Sequence, residues 1–342
     1  MNHLNICITD RCNQDCVHCY VNPTNNSEDE LEKESLIEII KRLINFGLKS
    51  VHIFGGEPFL RTDLKEICQE LSALKIRMSI ATNGTYLYKE SLEWIKQYNI
   101  SLTITLNGTE IIHDRISNNP GSYKKIIENI KNATILNTNL AIATCINRLN
   151  FNNYDKLLGK ITELGIKKFL IIYFSPIGRG IDLTQLILSN KEWEKFILKI
   201  QEVKNELYPD LEILYEPSIF NNKFWNYNLF KQRNYSCHIK SKEIFVLDYN
   251  GDLYPCFLLL RDRRFLLGNI KTDDIETLYK CNLDEIIIKK LEISEECLNC
   301  SYYNVCKGGC PAYKDNNYLD FRCDPNKKKY IPCCPFFTKI LY

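Results

Sequence analysis

Three cysteines near the start of the chain have a spacing that suits metal chemistry. The stretch CITDRCNQDCVHCY, residues 7–20, sets Cys12, Cys16 and Cys19 at a C-x3-C-x2-C spacing directly after a short apolar run. Cysteine thiolates bind zinc or iron–sulfur clusters, and a structural site usually has four protein ligands. Three thiols on one loop therefore suit a centre that leaves one metal position open for a substrate or cofactor.

Zinc is the alternative occupant of this loop. A structural zinc site needs a fourth ligand, but no other Cys or His lies at the spacing of a zinc ribbon, and Cys7 belongs to the preceding apolar run. The pattern therefore favours an iron–sulfur cluster in which three irons are held by the protein and the fourth is open.

The remaining cysteines and the charge point to metal binding in a reducing compartment. The 342-residue chain has 16 cysteines, ten of them in the last third. A formal net charge of +2 gives no electrostatic reason to expect a nucleic acid or membrane partner. Neither a signal-peptide pattern nor an apolar run of membrane-spanning length is present. We expect a cytoplasmic protein whose cysteines bind metal, because disulfides are rare in the cytoplasm.

Six short β-rich runs alternate with amphipathic helical stretches in the first half of the chain. The predicted strands are LNICIT (4–9), SVHIF (50–54), RMSIAT (77–82), SLTITL (101–106), LAIATCIN (140–147) and KKFLIIYF (167–174). Such alternation predicts an α/β fold with parallel strands and right-handed crossovers. Six units are too few for a closed eight-stranded barrel, so we expect a partial barrel or an open sheet with its ligand site at the carboxyl ends of the strands.

Short polar motifs follow several of these strands. GGEP (55–58) comes after the second strand, TNG (82–84) after the third, and NG (107–108) after the fourth. Each could be an ordinary turn by itself. Because the carboxyl ends of parallel strands meet at one rim, the motifs and the cysteine loop together predict a site there.

The cysteine loop after the first strand and the GGEP motif after the second resemble the radical S-adenosylmethionine (SAM) superfamily. The resemblance implies a partial (β/α)6 TIM-like barrel with one [4Fe-4S] cluster, held by Cys12, Cys16 and Cys19. The amino and carboxylate groups of SAM would chelate its open iron, so the cofactor supplies the missing fourth ligand.

The same resemblance assigns cofactor roles to the loop residues. His18 would lie beside the adenine. Gly55 and Gly56 would let the backbone approach the SAM amino group, which needs hydrogen-bond acceptors. Glu57 would either supply one of those acceptors or brace the loop.

Four residues farther along the chain complete the predicted SAM site. Asn83 and Thr105 would point polar atoms at the methionine and ribose portions, and Asn147 would contact the ribose. Arg179, in SPIGRG after the sixth strand, is a candidate partner for the carboxylate of SAM or of the substrate.

The last third of the chain is similar to the SPASM extension of radical SAM peptide maturases, which carries two auxiliary [4Fe-4S] clusters. The similarity lies in CHIKSKEIFVLDYNGDLYPC (237–256) and CLNCSYYNVCKGGC (297–310). The first cluster would use Cys237, Cys256 and Cys310. The second would use Cys297, Cys300 and Cys306.

Two ligand places then remain, with Cys323, Cys333 and Cys334 as candidates. The chain has no cysteine shortly before Cys237, so a tail cysteine completes the first auxiliary cluster or that cluster keeps an open iron. Cys281 lies in a helical pattern and is predicted to be a packed thiol.

These assignments divide the chain into three parts. We expect a radical SAM partial barrel at 1–180, a bridging segment at 181–235 and a SPASM domain at 236–342. Because the first strand begins by residue 4, the leader of a peptide substrate would be read by a separate leader-binding protein, by the bridging segment, or not at all.

The resemblance implies homolytic chemistry on a ribosomally made peptide. An external one-electron reductant of flavodoxin or ferredoxin type would drive cleavage of SAM to a 5'-deoxyadenosyl radical, which abstracts a hydrogen atom from the peptide. A thioether or carbon–carbon crosslink, or epimerisation, would follow. The alternatives are a radical SAM enzyme that modifies tetrapyrrole side chains, as in haem synthesis, and a non-catalytic iron–sulfur electron carrier.

Two residues bear on the outcome of the reaction. Some SPASM enzymes that oxidise Ser or Cys side chains have an Asp directly after the cysteine equivalent to Cys256. This chain has Phe257 there, which disfavours sulfatase activation. Strand alternation places Ala143, Cys145 and Asn147 on one face. Cys145 is therefore a candidate hydrogen-atom donor inside the barrel, with a small core residue as the alternative.

Overall fold

A single ten-stranded sheet organises the described part of the chain. The computed structural model describes residues 2–26, 28–215, 219–221, 239, 244–274, 277–278, 293–301, 303, 308–313, 319–323 and 330–332. The strands are β1 His3–Cys7, β2 Ser50–Phe54, β3 Arg77–Thr82, β4 Ser101–Thr105, β5 Leu140–Ile146, β6 Lys168–Tyr173, β7 Glu212–Tyr215, β8 Ile219–Asn221, β9 Ile244–Leu247, β10 Asp252–Tyr254, β11 Gly268–Asn269 and β12 Tyr330–Pro332.

The sheet confirms the predicted α/β architecture of a partial TIM-like barrel. Its order is β11-β10-β9-β1-β2-β3-β4-β5-β6-β7, and β12 pairs with β8 separately. The pairs from β1 to β7 are all parallel. Each of the six predicted strands is present with its ends within two residues of the expected bounds. Parallel neighbours require crossovers, which the intervening helices provide.

Helices lie between the strands, as the alternation of β-rich and amphipathic stretches predicted. They are α1 Lys33–Ile44, α2 Leu64–Ala73, α3 Lys89–Gln97, α4 Glu110–Ser117, α5 Ser122–Ile135, α6 Tyr154–Glu163, α7 Asn190–Leu207 and, in the C-terminal part, α8 Glu295–Leu298. Gly47 and Asn137, which follow α1 and α5, have positive φ angles of 91° and 54°. This left-handed conformation ends the two helices. Among the described residues, no helix is long and apolar enough to cross a membrane.

The two faces of the sheet differ in polarity: the aliphatic face forms the hydrophobic core, and the polar face lies on the inner side of the partial barrel. One face is aliphatic and packs against the helices, as with Ile6 on β1, Ile53 on β2 and Ile80 on β3. On the other face, Asn5, His52 and Ser79 are neighbours in the strand register. Because side chains alternate along a strand, the polar row and the aliphatic row lie on opposite sides.

The C-terminal third contributes strands to this same sheet. β9 pairs in parallel with β1, with His3 opposite Ile244 and Ile6 opposite Leu247. β10 then pairs antiparallel with β9. The polypeptide around Cys256, which follows β10, is therefore fixed one strand away from β1, the strand that leads into the cysteine loop.

Candidate active site

The loop after β1 carries Cys12, Cys16 and Cys19, all three partly exposed and free of disulfides. Burial raises the pKa of the Cys12 thiol to about 11, and it also raises the pKa values of Cys16 and Cys19. The thiols of Cys12 and Cys19 each add to the increase at Cys16. Iron binding would favour their thiolate forms, and this donor set fits an iron–sulfur cluster.

The GGEP motif holds this loop through its backbone. Gly56 N donates to Thr9 O at 2.9 Å, and Glu57 N donates to Arg11 O at 2.7 Å. A Cβ atom added at Gly56 would lie 2.1 Å from Arg11 O, and one at Gly55 would lie 2.7 Å from Thr9 O. Both positions therefore require glycine because the GGEP backbone lies directly against the backbone of the cysteine loop. The predicted contact of these glycines with the SAM amino group stays a prediction.

Glu57 is fully buried, and protein donors surround its carboxylate. The carboxylate accepts hydrogen bonds from Thr82 Oγ1 at 2.7 Å, Asn83 N at 2.7 Å and Phe59 N at 3.1 Å. Burial raises the pKa of Glu57 to about 7 against the lowering effect of these bonds. Of the two roles the sequence left open, these contacts are those of a brace that joins the ends of β2 and β3. Direct contact with SAM stays a prediction.

Asn83, Thr105 and Asn147 end three successive strands of the rim. Asn83 Nδ2 donates to Asn13 Oδ1 in the cysteine loop at 2.9 Å. Thr105 is partly exposed at the end of β4. Asn147 is buried, and its side chain donates to Cys145 O at 3.2 Å and accepts from Leu149 N at 2.9 Å. The structure brings all three to the predicted rim, and their contacts with the cofactor stay predictions.

Unpartnered polar atoms at this rim indicate that a polar group binds there. Within the described residues, five buried side-chain atoms have no hydrogen-bond partner, and one of them, Asp10 Oδ1, forms an ion pair with Arg261 at 2.6 Å. The other four belong to the cysteine loop and to the segment that follows β4, namely Gln14 Nε2, His18 Nδ1, Asn107 Nδ2 and His113 Nε2. Because buried polar groups are nearly always hydrogen-bonded, these atoms fit a polar cofactor such as SAM.

Sequence reasoning identified His18 but missed His113. Burial lowers the pKa values of both imidazoles to about 4, and the His113 ring contributes to the lowering at His18. His113 Nδ1 accepts a hydrogen bond from Asn107 N at 3.1 Å. The only available signal was a His on α4, where a buried core His is the ordinary expectation. The last carbonyls of α4, at Ile116 and Ser117, accept from the cysteine loop, which is why this His reaches the rim.

Arg179 lies against the cysteine loop. Its side chain donates to Cys16 O at 3.0 Å and Asn22 Oδ1 at 3.2 Å, and its Nη1 forms an ion pair with Asp15 at 2.7 Å. Its backbone N donates to Cys19 O at 2.9 Å. The predicted role of Arg179 toward a carboxylate of SAM or substrate stays a prediction, and the contacts that exist are with the loop.

A second arginine fixes the cysteine loop to the C-terminal third. Arg261 pairs with the buried Asp10 at 2.6 Å and with the buried Asp248 at 2.9 Å, and it donates to Val21 O at 2.9 Å. These hydrogen-bonded ion pairs raise the pKa of Arg261 against the lowering effect of burial. One side chain thus joins the loop that precedes the three cysteines to the β9–β10 turn.

The structure brings together some of the predicted auxiliary ligands. Cys256 packs against the cluster of Leu258, Cys310 and Tyr313. The amide of Cys310 donates to Asp320 Oδ2 at 2.8 Å, and the amide of Cys323 donates to Asp320 O at 2.8 Å. Cys323 therefore lies near the predicted first auxiliary site.

The other C-terminal cysteines are only partly described. Cys297 and Cys300 are linked by a 3.1 Å hydrogen bond from Cys300 N to Cys297 O at the end of α8. Outside the described residues lie Cys237, Cys281, Cys306, Cys333 and Cys334. All of these ligand assignments stay predictions.

An aromatic wall connects the two cysteine-bearing segments inside the barrel. The Phe257 ring lies 4.8 Å from that of Phe54, and 6.2 Å from those of Tyr20 and His52. Tyr20 directly follows Cys19, and Phe257 directly follows Cys256.

Cys145 on β5 is partly exposed, while its neighbours Thr144 and Ile146 are buried. The backbone N of Cys145 donates to Asn107 Oδ1 at 3.1 Å. Its role as a hydrogen-atom donor stays a prediction.

Two family models match the chain at the regions that this geometry distinguishes. Residues 6–161 match the radical SAM superfamily, and residues 237–301 match the SPASM iron–sulfur cluster-binding domain. The chain therefore contains a radical SAM domain followed by a SPASM domain. It is a radical SAM enzyme of the SPASM type, whose barrel binds SAM and a [4Fe-4S] cluster and whose C-terminal domain binds further iron–sulfur clusters.

Curated relatives cover most of the chain. The subtilosin biosynthesis protein AlbA of Bacillus subtilis is 25% identical over 320 residues, which is 90% of this chain and 66% of AlbA, so the chain spans just under two thirds of that relative. A cysteine-type anaerobic sulfatase-maturating enzyme of Clostridium novyi is 27% identical over 90% of this chain and 87% of its own length. An AdoMet-dependent heme synthase of Methanosarcina barkeri is 24% identical over 89% of each chain.

A solved structure shares the fold. Streptococcus suis SuiB bound to the precursor peptide SuiA superposes with a TM-score of 0.76 at 17% identity, covering 94% of this chain and 75% of SuiB. At this identity the likeness shows the fold.

Proposed function

We propose that this enzyme is a peptide maturase that abstracts a hydrogen atom from a carbon of a ribosomally made peptide. Reductive cleavage of SAM at the cluster on Cys12, Cys16 and Cys19 would supply the 5'-deoxyadenosyl radical for this step. Loss of one further electron, to an auxiliary cluster, and of one proton would convert the peptide radical to a thioether or carbon–carbon crosslink, whereas return of a hydrogen atom would give epimerisation. The protein's own part is to hold the peptide carbon at the barrel rim and to exclude water from it.

The observation that carries the proposal is a group of three aromatic rings, in which Tyr20, Phe54 and Phe257 all contact one another. These rings come from the cysteine loop, the SPASM segment and β2, so one apolar wall borders both cysteine-bearing segments. A peptide side chain packed on this wall would lie between the barrel cysteines and the segment that holds Cys256. Aromatic surface is well suited to hold an apolar side chain in place.

The wall favours reaction at carbon over oxidation of a hydroxyl or thiol. Such an oxidation needs a base for the O–H or S–H proton, and Phe257 stands where some enzymes of that type have an Asp after the equivalent cysteine. The buried carboxylates nearby are already engaged: Glu57 accepts three hydrogen bonds, and Asp10 and Asp248 pair with Arg261. We therefore propose crosslinking or epimerisation rather than sulfatase activation.

The relatives support a peptide as the substrate. AlbA is named for the biosynthesis of the bacteriocin subtilosin, and SuiB was solved with its precursor peptide. The proposed partners are a peptide, an external flavodoxin- or ferredoxin-type reductant and a separate leader-binding protein. The proposed division into a barrel at 1–180, a bridging segment at 181–235 and a SPASM domain at 236–342 is consistent with the two family matches.

Anaerobic reconstitution tests the proposal. We would load the protein with iron and sulfide, add SAM, dithionite and each short peptide encoded beside its gene, and measure 5'-deoxyadenosine and peptide mass. The expected result is about twelve irons per chain, nucleoside formation, and a peptide that has lost two hydrogens or gained a D-residue. A Cys12/Cys16/Cys19 triple alanine variant should form no nucleoside.

Two results would replace the proposal with its alternatives. The similarity to the heme synthase favours a tetrapyrrole substrate as the second candidate. Tight binding of an absorbing tetrapyrrole, with SAM-dependent change of its side chains and none in any peptide, would establish that candidate. A fully loaded protein that forms no 5'-deoxyadenosine would instead be an iron–sulfur electron carrier.

A further inference from the structure

The loop after β6, residues 175–180, clamps the cysteine loop. Gly178 has a φ of +57°, and a Cβ atom there would lie 2.3 Å from Tyr20 O and 2.6 Å from Cys19 O. The next residue, Arg179, bonds to Cys19 O through its backbone and to Cys16 O through its guanidinium. Residues 175–180, which we call the clamp, therefore contact Cys16 and Cys19 at their backbone carbonyl groups.

The other end of the clamp reaches the SPASM region. The hydroxyls of Ser175 and Tyr313 are hydrogen-bonded, and Ile177 packs on the cluster of Leu258, Cys310 and Tyr313. The Tyr313 ring in turn lies 4.3 Å from the guanidinium of the fully buried Arg322. Because the clamp is anchored at both ends, Arg179 occupies a fixed position rather than a mobile surface position.

We propose that Arg179 is a positioning residue whose permanent positive charge raises the reduction potential of the cluster on Cys12, Cys16 and Cys19. This inference rests on those three cysteines being the cluster ligands. Reduction adds one electron from an external donor and makes or breaks no bond, so it increases the negative charge at the loop. A nearby cation stabilises the reduced state more than the oxidised state.

The charges around the guanidinium support this effect. Arginine stays protonated throughout the accessible pH range. Its ion-pair partner Asp15 is 64% exposed, whereas the Arg179 side chain is 26% exposed, so solvent screens the carboxylate more than the guanidinium. The two groups therefore do not cancel at the cluster, and a net positive influence remains.

Redox titration of the reconstituted protein, followed by electron paramagnetic resonance without any peptide, tests the proposal. We expect Arg179→Met to move the potential of the SAM-binding cluster to a more negative value, and Arg179→Lys, which keeps the charge, to stay nearer to the wild type. Asp15→Asn should move the potential in the positive direction, because it removes the opposing charge. Arg148→Met is the matched control, since Arg148 forms a comparable ion pair with Glu192 at the rim after β5.

The outcomes separate a charge effect from a purely structural one. A fully loaded Arg179→Met variant with the wild-type potential would overturn the proposal. If the Arg179→Met variant fails to bind its cluster, the Asp15→Asn variant tests the proposal instead. An unchanged potential in Asp15→Asn would overturn the proposal, because it would show that charge at this position does not affect the cluster. Both titrations omit the peptide, so a negative result would overturn the proposal for Arg179 and leave the proposed peptide chemistry standing. A negative peptide assay would likewise leave the proposal for Arg179 standing.

Discussion

The amide of Glu57 donates a 2.7 Å hydrogen bond to the carbonyl of Arg11, the residue directly before Cys12. This bond and its neighbour from Gly56 join two loops that follow adjacent strands, backbone against backbone. The position of the first cysteine is thus set by the GGEP turn as well as by its own loop.

Gly56→Ala should prevent assembly of the SAM-binding cluster. The new Cβ atom would lie 2.1 Å from Arg11 O, so the cysteine loop must move away. We expect the iron content after reconstitution to fall from about twelve to about eight per chain, because only the auxiliary clusters form. Gly159→Ala on α6 is the control, since within 4 Å its Cβ atom would contact only the Tyr208 hydroxyl, at 3.2 Å. Full iron content in the Gly56 variant would contradict this prediction.

Glu57→Gln should remove a pH-dependent part of the stability. Burial raises the pKa of Glu57 from 4.5 to about 7, so the folded state prefers the protonated form. Its contribution is therefore fully present below pH 4.5 and is lost as the pH rises through 7. We expect the free energy of unfolding of the wild type, relative to the variant, to fall by about 1 kcal/mol between pH 6 and pH 8. Anaerobic urea unfolding at the two pH values measures this, and a constant difference would refute it.

His52→Asn should show the opposite pH dependence. Burial lowers the pKa of His52 to about 3, so the imidazole stays neutral in the folded barrel while the unfolded chain takes up a proton below pH 6.5. Stability from this group is present above pH 6.5 and is lost as the pH falls. Between pH 8 and pH 5 the wild type should lose about 2 kcal/mol relative to the variant. The same urea experiment tests this, and equal losses in both proteins would argue against it.

Cys310→Ala should remove one auxiliary cluster and leave the SAM-binding cluster intact. Cys310 packs with Cys256, and its amide bonds to Asp320 beside Cys323, so its loss should cost about four irons. Nucleoside formation from SAM should continue. Cys68→Ala is the matched control, because Cys68 is fully buried in the aliphatic core. This variant should keep the full iron content. Equal iron contents in the two variants would show that Cys310 is not a ligand.

Cys145→Ala tests the proposed hydrogen-atom donor. Cys145 is partly exposed on β5, and if it returns a hydrogen atom to the peptide radical, product made in D2O carries deuterium from its exchangeable thiol. We expect the variant to form 5'-deoxyadenosine at a rate close to that of the wild type but to make no deuterated, epimerised peptide. Unchanged deuterium incorporation would exclude Cys145 as the donor and leave it as a core residue.

The local patterns of the sequence determined the barrel and its rim. Each strand from β1 to β6 is a run of alternating or apolar residues bounded by turn residues, and such patterns depend only on neighbours in the chain. The C-x3-C-x2-C loop and GGEP follow their strands directly, so their place at one rim came with the parallel topology. All six predicted strands are therefore present, with their ends within two residues of the predicted bounds.

Only the tertiary structure decided how the C-terminal third meets the barrel. β9 has four residues, too few to show a pattern, yet it pairs with β1 across about 240 positions of sequence. Phe257 enters the aromatic wall, and the Arg179 side chain donates to the carbonyl of Cys16 in the cysteine loop. Such contacts join residues far apart in the chain, and whether a buried polar group finds a partner depends on what folding brings beside it.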